Sequence, residues 1–259
     1  MRNMSPIIDA QLGLDKWEME GIMKIVTWNM AWWSHKTKVN EAWNYLYNDI
    51  KTDVALLTEM GDPAQSKCPF PYFKWQNIGM NRMYWGSGIV SRYPLDDWYN
   101  PPSVGALITA LLPLEKKPPI SLICMYGIED KASNSYVANL HRFLSDLTPI
   151  LNSKSRSIII GGDWNADVEL DGKHGNSANA NRLFFERLKD FGLQDCLKPS
   201  IEYPVQTHRH NSDENFPWQL DYIYATSGIA NKVTDARVID NQQIRDISDH
   251  NPIEIVIDI

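Results

Sequence analysis

Ser157-Ile158-Ile159-Ile160-Gly161-Gly162-Asp163-Trp164-Asn165 is the stretch on which the fold turns. Ser157 to Gly161 reads as a short apolar strand, and two polar residues, Asp163 and Asn165, follow it at once. Working outward, the same arrangement recurs. Asn29 ends a strand over Ile25 to Trp28, Glu59 ends Val54-Ala55-Leu56-Leu57, and Tyr126 ends Leu122-Ile123-Cys124-Met125. Asp221 opens Tyr222-Ile223-Tyr224, and Asp249 and His250 immediately precede Pro252 and a last strand over Ile253 to Ile257. An Asp or Asn at one strand end is commonly a turn former. The whole series places polar side chains where strand ends converge across a sheet and loops leave room for a substrate.

The remaining chain supplies the rest of a layered fold. Further strands are expected over Gly88 to Ser91, Leu107 to Leu112, Ile120 to Tyr126, Leu220 to Ala225 and Val233 to Ile239. Helices are expected over Val39 to Ile50, Ser135 to Leu151 and Ala178 to Phe191. In the second, Val137, Leu140, Leu144, Leu147 and Leu151 recur at steps of three and four, the spacing of one helical face. Strands outnumber helices and helices are scattered among them, which suits two packed sheets flanked by helices better than one parallel sheet. Pro101-Pro102 and Pro118-Pro119 read as loops before strands. Residues 1–22 fit neither period and read as an N-terminal extension, with the main domain over 23–259.

Composition narrows the class. Hydrophobic residues at 43% of 259 allow a sizeable core. The formal charge of −7 argues against a protein that coats nucleic acid through bulk electrostatics, though a local groove and bound cations can offset it. Cys68, Cys124 and Cys196 are odd in number and far apart, which fits reduced thiols rather than a disulfide framework. No stretch approaches the roughly 18 apolar residues of a membrane span, and Asp9, Asp15, Lys16 and Glu18 break any signal-peptide core. A cytoplasmic location is therefore expected.

Taken together, Thr27-Trp28-Asn29, Leu57-Thr58-Glu59, Gly86-Ser87-Gly88-Ile89-Val90-Ser91, Gly162-Asp163-Trp164-Asn165, Leu220-Asp221-Tyr222-Ile223 and Ser248-Asp249-His250-Asn251-Pro252 resemble the endonuclease/exonuclease/phosphatase superfamily. The resemblance spans residues 23–259, and its GDxN and SDHxP segments are the most specific. It implies an α+β fold, a four-layer α/β/β/α sandwich of two mixed sheets packed face to face with helices outside. It also implies Mg²⁺ or Mn²⁺ held by Glu59, Asn29 and Asp249. Asp163 would position or deprotonate the attacking water, and Asn165 and His250 would contact the phosphate. Asp221 would orient His250, and Tyr126 would face the phosphate. The chemistry agrees with the residue types: oxygen donors suit a hard divalent cation, which offsets the charge of a phosphodiester. An Asp beside a His fixes the ring and favours its protonated form.

The resemblance implies a metal-dependent phosphodiesterase acting on nucleic acid, DNA ahead of RNA. The alternative is an enzyme acting on a phosphorylated small molecule or lipid headgroup. Tyr126 leans towards the exonuclease III-type branch, whereas Ala31 stands where abasic-site endonucleases commonly carry an acidic residue, and Thr58-Glu59 replaces the usual Gln-Glu. Trp33, Trp85 and His208 are expected to touch substrate, and Trp32, Trp164 and Trp218 lie beside motifs as stacking or packing residues. His35, Lys36 and Lys38 follow the first strand, either against a nucleic-acid backbone or on a solvated helix start. A Ser hydrolase would need a GxSxG elbow, which is absent from the sequence. A catalytically dead binding module would be expected to lose Glu59, Asp163 or His250, and all three are present.

Overall fold

The computed structural model describes residues 21–78, 84–101, 105–153, 156–173, 178–198, 200, 205–210 and 213–259. Two βαβ crossovers organise it. In the first, strand β1 (Ile22–Asn29) leads through helices α1 (Trp32–His35) and α2 (Val39–Asn44), the latter extended by a π turn over Tyr45–Asp49, to β2 (Val54–Gly61), which lies parallel to β1. Later, β6 (Lys117–Met125) leads through α3 (Tyr136–Leu151) to β7 (Ser157–Asp163), again parallel. The other strands are antiparallel to their neighbours, so both sheets are mixed.

Adding β3 (Tyr72–Asn77), β4 (Trp85–Ser91), β12 (Val233–Val238) and β13 (Ile253–Asp258) gives a six-stranded sheet in the order β12-β13-β1-β2-β4-β3. Adding β5 (Leu107–Leu114), β8 (Leu193–Asp195) and β11 (Asp221–Thr226) gives a five-stranded sheet, β5-β6-β7-β11-β8. The short strands β9 (His208–His210) and β10 (Asp213–Trp218) form a separate ribbon. Three more helices are α4 (Ala180–Asp190), α5 (Ser227–Ala230) and α6 (Gln242–Ile247).

Alternation along each strand builds the four layers. Ile25, Val54, Leu56 and Ile89 of the first sheet meet Ile108, Leu122, Ile159 and Ile223 of the second in an inter-sheet core. Their neighbours Val26, Trp28, Ala55 and Leu57 point outward under Trp43, Leu46, Ile244 and Ile247. On the other side Ile123, Ile158, Ile160 and Tyr222 lie under Leu140, Leu144, Leu147, Phe184 and Leu188 of α3 and α4. The unbroken run Ile158-Ile159-Ile160 follows directly, because both faces of β7 are covered. Truncating one of these buried contacts, such as Leu144→Ala, would cost about 2–5 kcal/mol. The expected sandwich is the observed one, and the three expected helices match α2 with its π extension, α3 and α4 within a few residues.

Some local expectations change. Pro118 and Pro119 lie inside β6 rather than in a loop. Pairing between β6 and β7 begins only at Ile120, so the prolines sit where only β5 lies alongside and no ladder bond to β7 is lost. The first strand starts at Ile22, opposite Asp258, one residue earlier than the expected domain start at Met23. Residues 1–20 of the expected extension lie outside the described residues. The edge strand β3 and the short elements β8, β9, β10 and α6 were not expected. Each is too short or too exposed to show a period of its own. Cys68, Cys124 and Cys196 are free thiols. No helix among the described residues is long and apolar enough to cross a membrane.

Candidate active site at the sheet rims

The parallel strands of the two crossovers each deliver a polar side chain at or near their carboxyl ends: Asn29 from β1, Glu59 from β2, Tyr126 just after β6 and Asp163 from β7. The antiparallel partners contribute from their beginnings, Asp221 at the start of β11 and His250 just before β13. Glycine permits the closest approach. A Cβ on Gly162, whose φ is +143°, would stand 2.0 Å from the Met125 carbonyl oxygen, and one on Gly127 would stand 1.9 Å from that of Trp164. The two strand ends therefore nearly touch, and Gly127 N–H donates to Asp163 O at 2.8 Å.

Two of the residues that carry chemistry stand on left-handed backbone. Glu59 has φ of +45° at a register shift between β2 and β4, and Asn165 has φ of +47°. Left-handed backbone is uncommon for a glutamate, whereas asparagine adopts it several times more readily. At Glu59 the shift turns the carboxylate out of the strand's alternation, and Tyr126 donates its hydroxyl to Glu59 Oε1 at 2.6 Å. At Asn165 the turn sends Trp164 into the core, stacked on Tyr222 at 4.8 Å, while Asn165 comes back to Asp163. Its backbone N–H donates to Asp163 Oδ1 at 2.9 Å, and its Nδ2 to Asp163 Oδ2 at 3.3 Å and to Gly127 O at 3.1 Å. Asn29 Nδ2 completes the grip on Asp163 at 2.8 Å, and Asn29 Oδ1 accepts from Ala31 N–H at 2.9 Å.

His250 lies against this acidic group. Its Nδ1 is 2.8 Å from Asp221 Oδ2 and its Nε2 is 3.9 Å from Asp163 Oδ2. Burial alone would push the imidazolium down, but Asp221, Asp163 and Asp249 together raise it to about 10, so Nδ1–H donates to Asp221. Burial pushes Asp163 up, helped by Asp221 and Glu59 and opposed by His250 and Asn29. Burial also raises Glu59, opposed by Tyr126, His250 and Asn29. Desolvation raises Tyr126 well above its ordinary value, and Glu59 and Asp163 add to it, so the phenol stays protonated.

A divalent cation fits this chemistry. Glu59, Asp163, Asp221 and Asp249 are gathered around one imidazolium, and among the described residues no Lys or Arg forms an ion pair with Glu59, Asp163 or Asp221. Two groups bring ligand atoms within 4.8 Å of one another: Asp163 with Asp221 and His250, and His208 with Asp249 and His250. The raised pKa of His250 favours hydrogen bonding and charge pairing over ligation in these groups. Carboxylate and amide oxygens such as those of Glu59, Asn29 and Asp249 are donors of the type that suits a hard cation.

The residues expected at the substrate separate on folding. Trp33 is exposed, whereas Trp85 is buried edge-on to Tyr126, with centroids 6.0 Å apart, and offers no stacking face. Trp164 is wholly buried, so it packs and does not stack with a ligand. His208 lies over the His250 ring at 4.5 Å, and its Nε2 is 3.8 Å from Asp249 Oδ2. Desolvation and the neighbouring His250 charge lower its pKa, which keeps it neutral. Lys38 pairs with Glu41 on the helix surface at 3.0 Å. Two residues given no role from sequence hold the site together. Ser248 Oγ donates to Asn29 O at 2.8 Å and accepts His250 N–H at 3.0 Å. Thr207 Oγ1 accepts from the N–H groups of Leu220 and Asp221 at 2.9 and 3.1 Å. Ser248 stood in a quoted motif, but nothing local marks Thr207.

Comparison with known proteins accords with this architecture. A model described as the Endonuclease/Exonuclease/phosphatase family matches residues 26–250. No curated protein matches the sequence significantly. Among solved structures, an AP endonuclease from Archaeoglobus fulgidus superposes with a TM-score of 0.70 at 18% identity, covering 92% of this chain and 100% of that one. A 3′ phosphatase from Neisseria bound to a product DNA hairpin gives 0.71 at 21% identity over 92% and 100% of the two chains. An AP endonuclease from Leishmania major gives 0.71 at 18% identity over 92% and 88%.

Proposed function

We propose that this chain, which belongs to the endonuclease/exonuclease/phosphatase family, is a divalent-metal-dependent phosphodiesterase that hydrolyses nucleic acid, with DNA preferred to RNA. The observation that carries the reading is the meeting of Asp163, Asp221 and His250 with Glu59, Asn29 and Tyr126 at one rim. Glu59, with Asn29 and Asp249, would hold Mg²⁺ or Mn²⁺, which supplies charge neutralisation at the scissile phosphate. Tyr126 fixes the Glu59 carboxylate through its hydroxyl. Asp163, held by Asn29 and Asn165, orients a water and takes its proton as the water oxygen bonds to phosphorus; its raised pKa suits a base working near neutrality. The P–O ester bond on the opposite side breaks, and solvent protonates the departing oxygen. His250, kept charged and oriented by Asp221, donates from Nε2 to the phosphate oxygen on which charge develops. Asn165 would exchange one of its Nδ2 hydrogen bonds, to Asp163 or to Gly127, for one to a second phosphate oxygen.

DNA preference is supported by Tyr126, by exposed Trp33 on α1, four residues after Asn29, as a stacking face, and by two structural neighbours named AP endonucleases and one bound to a DNA hairpin. Binding should be salt-sensitive, because the net charge of −7 leaves phosphate contacts to a few local groups. The test is turnover of supercoiled plasmid, single-stranded DNA, RNA, inositol phosphates and sphingomyelin, each with Mg²⁺ and with chelator. Nucleic-acid cleavage that chelator abolishes and Mg²⁺ or Mn²⁺ restores is expected. Full activity in excess chelator would sink the mechanism. Intact nucleic acid beside phosphate or headgroup release would move the substrate to a small molecule or lipid and leave the site as drawn.

A further inference from the structure

We infer that Arg209 is a positioning residue for His250, acting through the segment Ser248–Asn251; this rests on the reading of His250 as the phosphate-contacting group. Arg209 is buried in β9, between the two histidines His208 and His210. Its guanidinium donates to Asn251 Oδ1 with one nitrogen and to the Ser248 carbonyl oxygen with another. Its backbone N–H donates to Asp249 O at 2.9 Å. One residue thus grips both ends and the middle of the segment that carries His250. The remaining bonds of that segment pass the constraint on. Ser248 Oγ meets His250 N–H and Asn29 O, so both sides of the Asp163 carboxylate depend on where Ser248 sits. Asn251 is also tied to the residues before β9, through its N–H to Thr207 O at 2.7 Å and its Nδ2 to Gln206 O at 3.2 Å.

Strand alternation explains how β9 serves both faces. His208 covers the His250 ring while Arg209, its neighbour, reaches under the segment. The two acceptors, an amide and a carbonyl, suit a planar fork with donors at fixed separation. A lysine ammonium is a single point on a flexible stem and cannot hold both with the same geometry. Glycine-free, two-ended clamping of this kind sets ring position without contact to the substrate, as outer partners of a site do.

The test uses the full chain with Arg209→Gln, Arg209→Lys and Arg209→Ala, read by nucleic-acid kinetics, melting temperature and the proton resonance of His250 Nδ1–H, assigned against His250→Gln. Folded Arg209→Gln and Arg209→Lys should lose about 10–100-fold in kcat, the usual effect of removing an outer partner. KM should change less than about threefold, since ground-state binding is untouched. The downfield Nδ1–H resonance should broaden or shift in both, and added guanidinium should restore part of kcat to Arg209→Ala. Normal kcat and an unchanged resonance in either folded variant would overturn the inference. So would unfolding of both, which would assign Arg209 to stability alone. If the wild-type protein cleaves no nucleic acid, the functional reading fails while the resonance comparison still decides Arg209.

Discussion

Glu59 and His250 belong to the same rim but are held in opposite ways. His250 is enclosed: Asp221 takes one ring nitrogen, Asp163 lies near the other, His208 covers the ring, and Ser248 and Trp28 hold its backbone. Glu59 sits on left-handed backbone at a strand irregularity, with the Tyr126 hydroxyl and Asn29 as its side-chain hydrogen-bond partners. The first side is paired around the ring as folded, although among the described residues Asp221 Oδ1 and His208 Nδ1 are buried without a hydrogen-bond partner. The second carries a buried carboxylate whose pKa is raised, mainly by desolvation, with Tyr126, His250 and Asn29 offsetting part of that cost. A pre-formed acid facing a desolvated, only partly compensated carboxylate suits the proposed cation-assisted phosphate reaction.

Breaking the enclosed side should have the largest effect. His250→Gln should lower kcat by roughly 10²–10⁴-fold, the range for a positioned charge-stabilising group. A folded variant with normal kcat would make His250 structural. The sides should separate again in stability measured in chelator. Asp221→Asn strips the imidazolium of its nearest partner and should cost about 3–5 kcal/mol in a denaturant titration. Glu59→Gln removes a desolvated, only partly compensated charge and should leave stability unchanged or raise it by about 1 kcal/mol. Equal losses in the two variants would erase the distinction.

The pH dependence sharpens the same contrast more gently. His250 is raised from 6.5 to about 10, so its stabilisation is complete below 6.5 and lost as pH rises towards 10. Glu59 is also raised, from 4.5, so its contribution is complete below that value and lost as pH climbs through the raised one. In chelator, the wild-type advantage over His250→Gln should shrink between pH 6.5 and 10. Affinity for Mg²⁺, by calorimetry, should fall as pH drops through the raised Glu59 value, because a proton competes for the carboxylate. Affinity that is flat or rises on acidification would remove Glu59 from the ligand set. The smallest effect is expected from deleting residues 1–20, since β1 is complete from Ile22. Unchanged melting temperature and kcat are expected, and a large loss in either would tie that segment to the domain.

The amino-acid sequence by itself determined the longer core strands, the three longer helices and the identities of the polar residues at the strand ends. These are local properties: the steps of α3, the run Ile158-Ile159-Ile160 and the GDxN and SDHxP segments are readable within a few residues of one another. Tertiary structure alone decided which tryptophans meet solvent. Trp33, Trp85 and Trp164 look alike beside their motifs, yet one is exposed and two are buried, because burial depends on the layer above each strand. It also decided the turn of Glu59 out of its strand, since the irregularity arises only when β2 is paired with β4. Arg209 and Thr207 were invisible for the same reason. Arg209 acts on residues about 40 positions away, and only the packing of β9 against the segment before β13 brings them within hydrogen-bonding reach.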